Sequence, residues 1–159
     1  MGLSFIKLLA LGFVPFATAY DPREIFQVTV QSGDPQIDSL WFQKGVQKNG
    51  LINLSFGDNN AAFVLDGNHL TLLNDDLSEF ATGFIDNDDN GILKFGNSTK
   101  FPPTNFYGYK EDLFAEDSSL LWFSCQIQDP PQITVVLATA AHSGCQQLGE
   151  VSFQYQPTG

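Results

Sequence analysis

The sequence has few basic residues and few of the side chains on which catalysis and metal binding usually rest. It contains 7 Lys and Arg against 18 Asp and Glu, a formal net charge of −11, with only 2 His, 2 Cys and 1 Met. Because binding to phosphates needs clustered bases, this balance argues against a nucleic-acid partner. The excess of acid favours solubility and disfavours contact with an anionic membrane surface.

Long hydrophobic runs are also scarce. The apolar run at residues 8–16 is too short to cross a bilayer, which takes about 20 residues. With Lys7 before it and the small residues Ala17 and Ala19 after it, residues 1–19 have the pattern of a cleaved secretory signal peptide, rather than of a buried N-terminal strand or helix. The C-terminus carries no apolar tail, so we expect a secreted, extracellular protein without a membrane anchor.

Residues 20–159 have the pattern of a single all-β domain. Apolar and polar residues alternate at 26–30, 51–56 and 151–155, which is typical of half-buried strands. The run at 133–137 is rich in β-branched residues and predicts a central strand buried on both faces. We predict about ten short antiparallel strands, arranged as a sandwich or a closed barrel.

Turn residues separate the apolar runs. Asn49-Gly50 and Asp66-Gly67 are hairpin signals, because both dipeptides tolerate positive φ. Residues 72–81 could form one or two helical turns with Asn74 as the N-cap. Residues 63–72, 84–93 and 114–122 resemble one another as three hairpins, which makes a β-trefoil-like barrel an alternative. Turn chemistry is generic, however, so unrelated hairpins also look alike.

Two cysteines and two sequons fit an exported chain. Cys125 and Cys145 are expected to form a disulfide, closing a loop worth about 3 kcal/mol; a reactive or metal-bound thiol pair is the alternative. Asn53 and Asn97 each begin an Asn-x-Ser/Thr sequon and are candidate glycan acceptors. Alternation places Asn53 on the polar face of its strand, and Asn97 follows a glycine in a turn; either asparagine can also remain unmodified.

Catalytic and metal-binding patterns are weak. The acidic segment 86–91 has the alternating oxygen side chains of a calcium loop, but it lacks the glutamate and flanking helices of an EF-hand, so an acidic hairpin turn is the favoured interpretation. His69 and His142 show no metal-ligand spacing and no nucleophile motif. A glycosidase using a carboxylate pair is the remaining enzymatic alternative. We therefore predict no catalytic residue, no cofactor and no metal.

Aromatic residues are the candidate ligand contacts. Trp41, Tyr107 and Tyr109 are the residues selected, because aromatic faces pack on the C–H surfaces of sugars, although core packing is the commoner role in a β domain. The segment 105–109 follows a Pro-Pro loop and is expected to be exposed. The expected partners are cell-wall polysaccharide or wall proteins.

Several short motifs together resemble fungal secreted cell-wall proteins of the phialide-associated (PhiA) type. They are the segments 26–33, 63–70, 84–95, 122–125, 133–137 and 143–145. The chain departs from that family in having no further cysteines near the mature N-terminus and in the acidity of residues 75–79.

The resemblance implies a non-enzymatic, often glycosylated wall or surface protein of a filamentous fungus, linked to wall integrity and spore-bearing structures. The expected function is therefore a structural role in or on the wall, through weak contacts with polysaccharide or other wall proteins. A freely soluble protein that interacts with a host is the alternative, and a small carbohydrate-active enzyme is a third.

Overall fold

The computed structural model describes residues 24–128 and 131–156, and in these ranges the chain is all-β with no α-helix. The described residues form thirteen strands: β1 (Phe26–Gln31), β2 (Trp41–Lys48), β3 (Leu51–Gly57), β4 (Phe63–Asp66), β5 (His69–Leu73), β6 (Glu79–Asp86), β7 (Ile92–Gly96), β8 (Phe106–Tyr109), β9 (Asp112–Ala115), β10 (Leu121–Gln128), β11 (Pro131–Ala138), β12 (Cys145–Gln147) and β13 (Glu150–Tyr155). A 3₁₀ turn, Asn87–Asp89, joins β6 to β7.

The predicted signal peptide, residues 1–19, lies outside the described residues. Within those ranges no helix has the length and apolarity needed to cross a membrane.

Seven of these strands close into an antiparallel barrel. Their order around the ring is β1, β2, β3, β7, β6, β5 and β4. The ring closes because β1 pairs with β2, through Thr29 and Trp41, and further along the same strand with β4, through Phe26 and Phe63. The predicted all-β class is confirmed, and of the two predicted architectures the chain adopts the closed barrel.

Two groups of strands extend from the ring. On one side β13 pairs with β1 along its whole length, β9 pairs with β13, and β8 pairs with β9. The strands β2, β1, β13, β9 and β8 thus form one continuous five-strand sheet. On the other side β11 joins β7 through Val136 and Ile92, and β10 and β12 follow.

The core is built from the alternating residues that the sequence shows. In β1, Phe26, Val28 and Val30 are buried while the residues between them are partly exposed. The segment 134–137 of β11 is buried on both faces, which confirms the predicted central strand. The indole of Trp122 packs against Phe42 and Phe106 in the core and donates its Nε1–H to the backbone of β9.

The disulfide prediction is confirmed. Cys125 of β10 and Cys145 of β12 lie opposite each other in the ladder and are bonded. The bond joins two neighbouring strands of the sheet outside the barrel, and the loop that it closes contains all of β11. The alternative of a reactive or metal-bound thiol pair is therefore excluded for the folded chain.

Two expectations from turn patterns are wrong. Residues 114–122 do not form a hairpin, because β9 pairs with β8 and β13 while β10 pairs with β11 and β12, so the threefold β-trefoil alternative fails. Residues 72–81 form no helical turn either. Leu72 and Leu73 are buried in β5, and Asn74 instead closes a tight turn by donating its N–H to the Ser78 carbonyl.

Candidate functional site

One face of the five-strand sheet carries a row of side chains that crosses every strand. Five residues pair in succession from β2 to β8: Trp41, Thr29, Ser152, Asp112 and Tyr109. Residues directly opposite each other in a sheet project to the same side, so these side chains lie in one line. With neighbouring strands about 4.8 Å apart, the row is about 19 Å long.

This row lies on the outer face of the sheet. The neighbours of its members along the chain, including Phe42, Val28, Leu113 and Phe153, are buried in the core. Since successive residues of a strand point to opposite faces, the row itself points to solvent. The sequence therefore places an aromatic side chain at each end of a line of polar side chains.

A broad groove of about 770 Å³ runs over this face. Its lining includes Trp41 at one end and, along the floor, the hydroxyls of Thr29 and Ser152 and the amides of Gln31 and Gln154. The Thr29 hydroxyl donates to the Leu40 carbonyl and the Ser152 hydroxyl donates to Asp112, so towards a ligand both oxygens act as acceptors, while the glutamine amides can donate and accept. The volume lies in the range typical of ligand sites.

The opposite end of the row is an exposed aromatic patch. Tyr107 stacks on Phe114 of the neighbouring strand, with ring centroids 5.4 Å apart, and both rings face solvent. Tyr109, two residues further along β8, is 60% exposed. The structure thus brings the three aromatic residues selected from sequence, Trp41, Tyr107 and Tyr109, onto one face of one sheet.

The groove is acidic. Glu111, Asp112 and Glu150 line it, with Lys110 as the basic residue among the lining residues. Asp112 accepts a hydrogen bond of 2.8 Å from the Ser152 hydroxyl, which fixes its carboxylate within the row. The Lys110 ammonium lies 5.6 Å from the centroid of the Tyr109 ring, where it makes a cation–π contact.

A smaller cavity of about 270 Å³ lies between the β2–β3 hairpin, β7 and β11. In its wall, Lys94 Nζ donates to Asp86 Oδ2 at 2.8 Å and to Asp89 Oδ2 at 2.7 Å. Burial would lower the pKa of Lys94, but the hydrogen bonds that its ammonium donates to these two carboxylates, together with their negative charge, outweigh it and raise the pKa.

The contacts of Lys94 bear on whether the acidic segment 86–91 is a calcium loop. The carboxylates of Asp86 and Asp89 accept hydrogen bonds from this ammonium, and Asp86 Oδ1 caps the 3₁₀ turn by accepting from the N–H of Asp88. Across the described residues, no three His, Cys, Asp or Glu side chains gather in a metal-binding group. The geometry favours the acidic hairpin turn over the calcium loop.

The two sequons differ sharply. Asn53 is only 7% exposed, and its Nδ2 donates to Thr134 Oγ1 at 2.7 Å, so the expectation that this side chain faces water is wrong. The reason is that β11 covers the outer side of β3, and a glycan on Nδ2 would have to displace it. Asn97 is exposed, and its Oδ1 accepts from the N–H and the hydroxyl of Thr99. This arrangement leaves its amide nitrogen, the atom that carries a glycan, accessible.

The histidines lie apart from the groove. His69 is at the start of β5, opposite Asp66 across the β4–β5 turn, and is exposed. His142 is exposed in the loop before the disulfide. Neither residue lines the groove or the smaller cavity.

Sequence reasoning missed the polar residues of the groove. Thr29, Ser152 and Asp112 are ordinary residues on three separate strands, and only the strand order joins them. For Thr29 and Ser152 the usable signal was the alternation itself, since each lies between residues of a predicted buried face; no predicted strand included Asp112. No protein-family model, no curated protein and no solved structure matches the chain.

Proposed function

We propose that this chain is a non-catalytic, secreted polysaccharide-binding protein of the cell wall or cell surface, and that the outer face of the β2–β1–β13–β9–β8 sheet is its contact surface. The observation that carries the proposal is the row from Trp41 to Tyr109, with aromatic side chains at both ends and hydrogen-bonding side chains between them. The resemblance to fungal wall proteins agrees with this role.

The chemistry of the face suits an extended sugar chain. Aromatic rings pack on the C–H faces of sugar rings, while hydroxyl, amide and carboxylate groups between them bond to sugar hydroxyls. Because the groove is open to solvent, each contact is worth little. A repeating polymer that offers many equivalent segments raises the overall strength of attachment without any tighter single contact.

Export is the second part of the proposal. The N-terminal signal pattern, the disulfide between Cys125 and Cys145 and the accessible sequon at Asn97 all suit an extracellular protein. An exposed glycan at Asn97 would add a hydrophilic group to an already acidic surface.

The test is co-sedimentation of the purified protein with insoluble glucan and chitin. Trp41→Ala and Tyr109→Ala should each weaken retention by about tenfold or more, because aromatic residues at the ends of a contact surface carry a large share of the binding energy. Phe80→Ala is the matched control, since Phe80 is also an exposed aromatic, 41% accessible, but lies on β6 outside the sheet. Thermal melting of each variant separates loss of binding from loss of fold.

The co-sedimentation test has outcomes that support the proposal and outcomes that contradict it. If wild-type protein is retained and the two variants are lost while Phe80→Ala binds normally, the proposal is supported. If the wild-type protein binds neither polymer, or if all three variants bind equally, the proposal fails. The alternative of a soluble host-interaction protein then becomes the hypothesis to examine, because exposed Tyr and Phe residues are also typical of protein interfaces.

A further inference from the structure

The charge of the groove narrows the class of ligand. We propose, as an extension that rests on the proposed function, that the groove prefers a polymer of amino sugars carrying free ammonium groups over a neutral glucan. The site is the groove, with Trp41 in its lining, together with Tyr109 at the other end of the row. The observation that selects the ligand is the complementarity between this groove and a positively charged sugar chain.

The carboxylates are spread along the length of the groove. Asp112 lies within the row, and Glu111 precedes it at the β8–β9 turn. Glu150 is two residues before Ser152 on β13, so it points to the same face about 7 Å along the strand. An ammonium on successive sugars could therefore meet more than one carboxylate while the sugar rings lie along the row.

The basic residue of the groove does not neutralise its carboxylates by a direct ion pair. Lys110 lies over the Tyr109 ring, and none of Glu111, Asp112 and Glu150 has a salt bridge within the described residues. A neutral sugar chain that covered these carboxylates would offer them only uncharged hydroxyl donors and would leave their charge without a counter-charge. An ammonium would supply a charge-assisted hydrogen bond instead.

The same charges exclude the opposite ligand. A polyanionic sugar chain would meet three carboxylates in the groove and a chain with a net charge of −11. Like charges brought together at an interface cost binding energy. The structure therefore favours cationic over anionic polysaccharides without any change in the aromatic contacts.

Matched soluble oligomers of equal length test this inference by calorimetry: glucosamine, N-acetylglucosamine and glucose oligomers. The glucosamine oligomer should bind most tightly, and its affinity should fall as salt is raised, because exposed ion pairs are screened. Glu150→Gln and Asp112→Asn should each weaken it by about two- to fivefold, the range expected for one exposed ion pair. Glu116→Gln, an exposed carboxylate outside the groove lining, is the control and should leave affinity unchanged.

Trp41→Ala should weaken binding of every oligomer, whereas Glu150→Gln should weaken only the glucosamine oligomer. If the glucose oligomer binds as tightly as the glucosamine oligomer, this inference is overturned while the proposed function stands. If no oligomer binds, the proposed function fails as well. A polylysine peptide is the final comparison: if it binds as tightly as the glucosamine oligomer and is insensitive to Trp41→Ala, the groove recognises charge alone and the inference is overturned.

Discussion

Gly91 connects the barrel to the strands outside it, and its replacement by alanine is expected to be severe. This residue lies between the 3₁₀ turn and β7 with φ at +82°, and a Cβ added there would lie 2.5 Å from the carbonyl oxygen of Leu137 on β11. The backbone of Leu137 donates to the Gly91 carbonyl at 3.0 Å, so neither strand can retreat without breaking a hydrogen bond. Both the backbone angle and the close approach therefore require glycine.

The loss of stability expected for Gly91→Ala has two contributions. A side chain at positive φ costs about 1 kcal/mol, the lower end of the range for a left-handed residue. Overpacking against a fixed backbone adds about 2 kcal/mol. Gly91→Ala should therefore lower the free energy of unfolding by about 3 kcal/mol, measured by urea denaturation with the disulfide intact.

Gly67 provides the matched control. It has φ at +63° in the β4–β5 turn, but an added Cβ would meet nothing within 4 Å. Gly67→Ala should therefore show the backbone contribution alone, about 1 kcal/mol. If the free energies of unfolding of Gly91→Ala and Gly67→Ala agree within about 0.5 kcal/mol, the usual scatter between independent substitutions, the close packing of Gly91 on β11 is refuted.

Three further predictions concern separate parts of the molecule. Thr134→Val should cost about 1–3 kcal/mol in urea denaturation, because the Asn53 amide and a backbone carbonyl of β3 would lose their buried partner; an unchanged midpoint would contradict the role of this contact. In protein secreted by a glycosylating host, Asn97→Gln should remove one glycan from the mass measured by mass spectrometry and Asn53→Gln should remove none; a glycan found on Asn53 would contradict its burial. The pKa of Asp117 is lowered by hydrogen bonds from the side chain and backbone of Ser119, so its stabilisation is present above its unfolded pKa of about 3.9 and is lost as pH falls through the lower folded value. Asp117→Asn should therefore flatten the loss of thermal stability in acid, and an identical acid profile would contradict this assignment.

The strands that could be predicted are those whose burial follows from local alternation. Phe26, Val28 and Val30 face the core as the pattern indicates, and residues 133–137 form a central strand. The turn at Asn49-Gly50 has both residues at positive φ, as this dipeptide favours in a two-residue hairpin. In each case the information lies within a few neighbouring residues.

The errors occur where distant strands decide the outcome. Asn53 is polar and alternates with apolar residues, yet it is buried because β11, more than 75 residues later, lies over it and supplies Thr134 as a partner. The false helical turn at residues 72–81 has a similar origin. Burial of Leu72 and Leu73 in the barrel keeps β5 extended up to the turn.

The candidate site also combines features that neighbouring residues encode with features that depend on distant strands. The aromatic residues Trp41, Tyr107 and Tyr109 could be selected from sequence, because their chemistry is local. That Trp41 and Tyr109 stand at two ends of one row depends on the pairing of β1 with β13 and of β13 with β9. The first pairing joins residues more than 100 positions apart and the second joins residues 40 positions apart, and no short pattern encodes either.

The most direct test of the account is an amide chemical-shift map of the protein titrated with a soluble amino-sugar oligomer. The account predicts that the largest shifts fall on β2, β1, β13, β9 and β8, centred on the row from Trp41 to Tyr109. Because the Trp41 indole N–H has its own signal, it also reports contact at one end of the row. Shifts confined to the cavity near Lys94, or no shifts at all up to the solubility of the oligomer, would contradict the central claim.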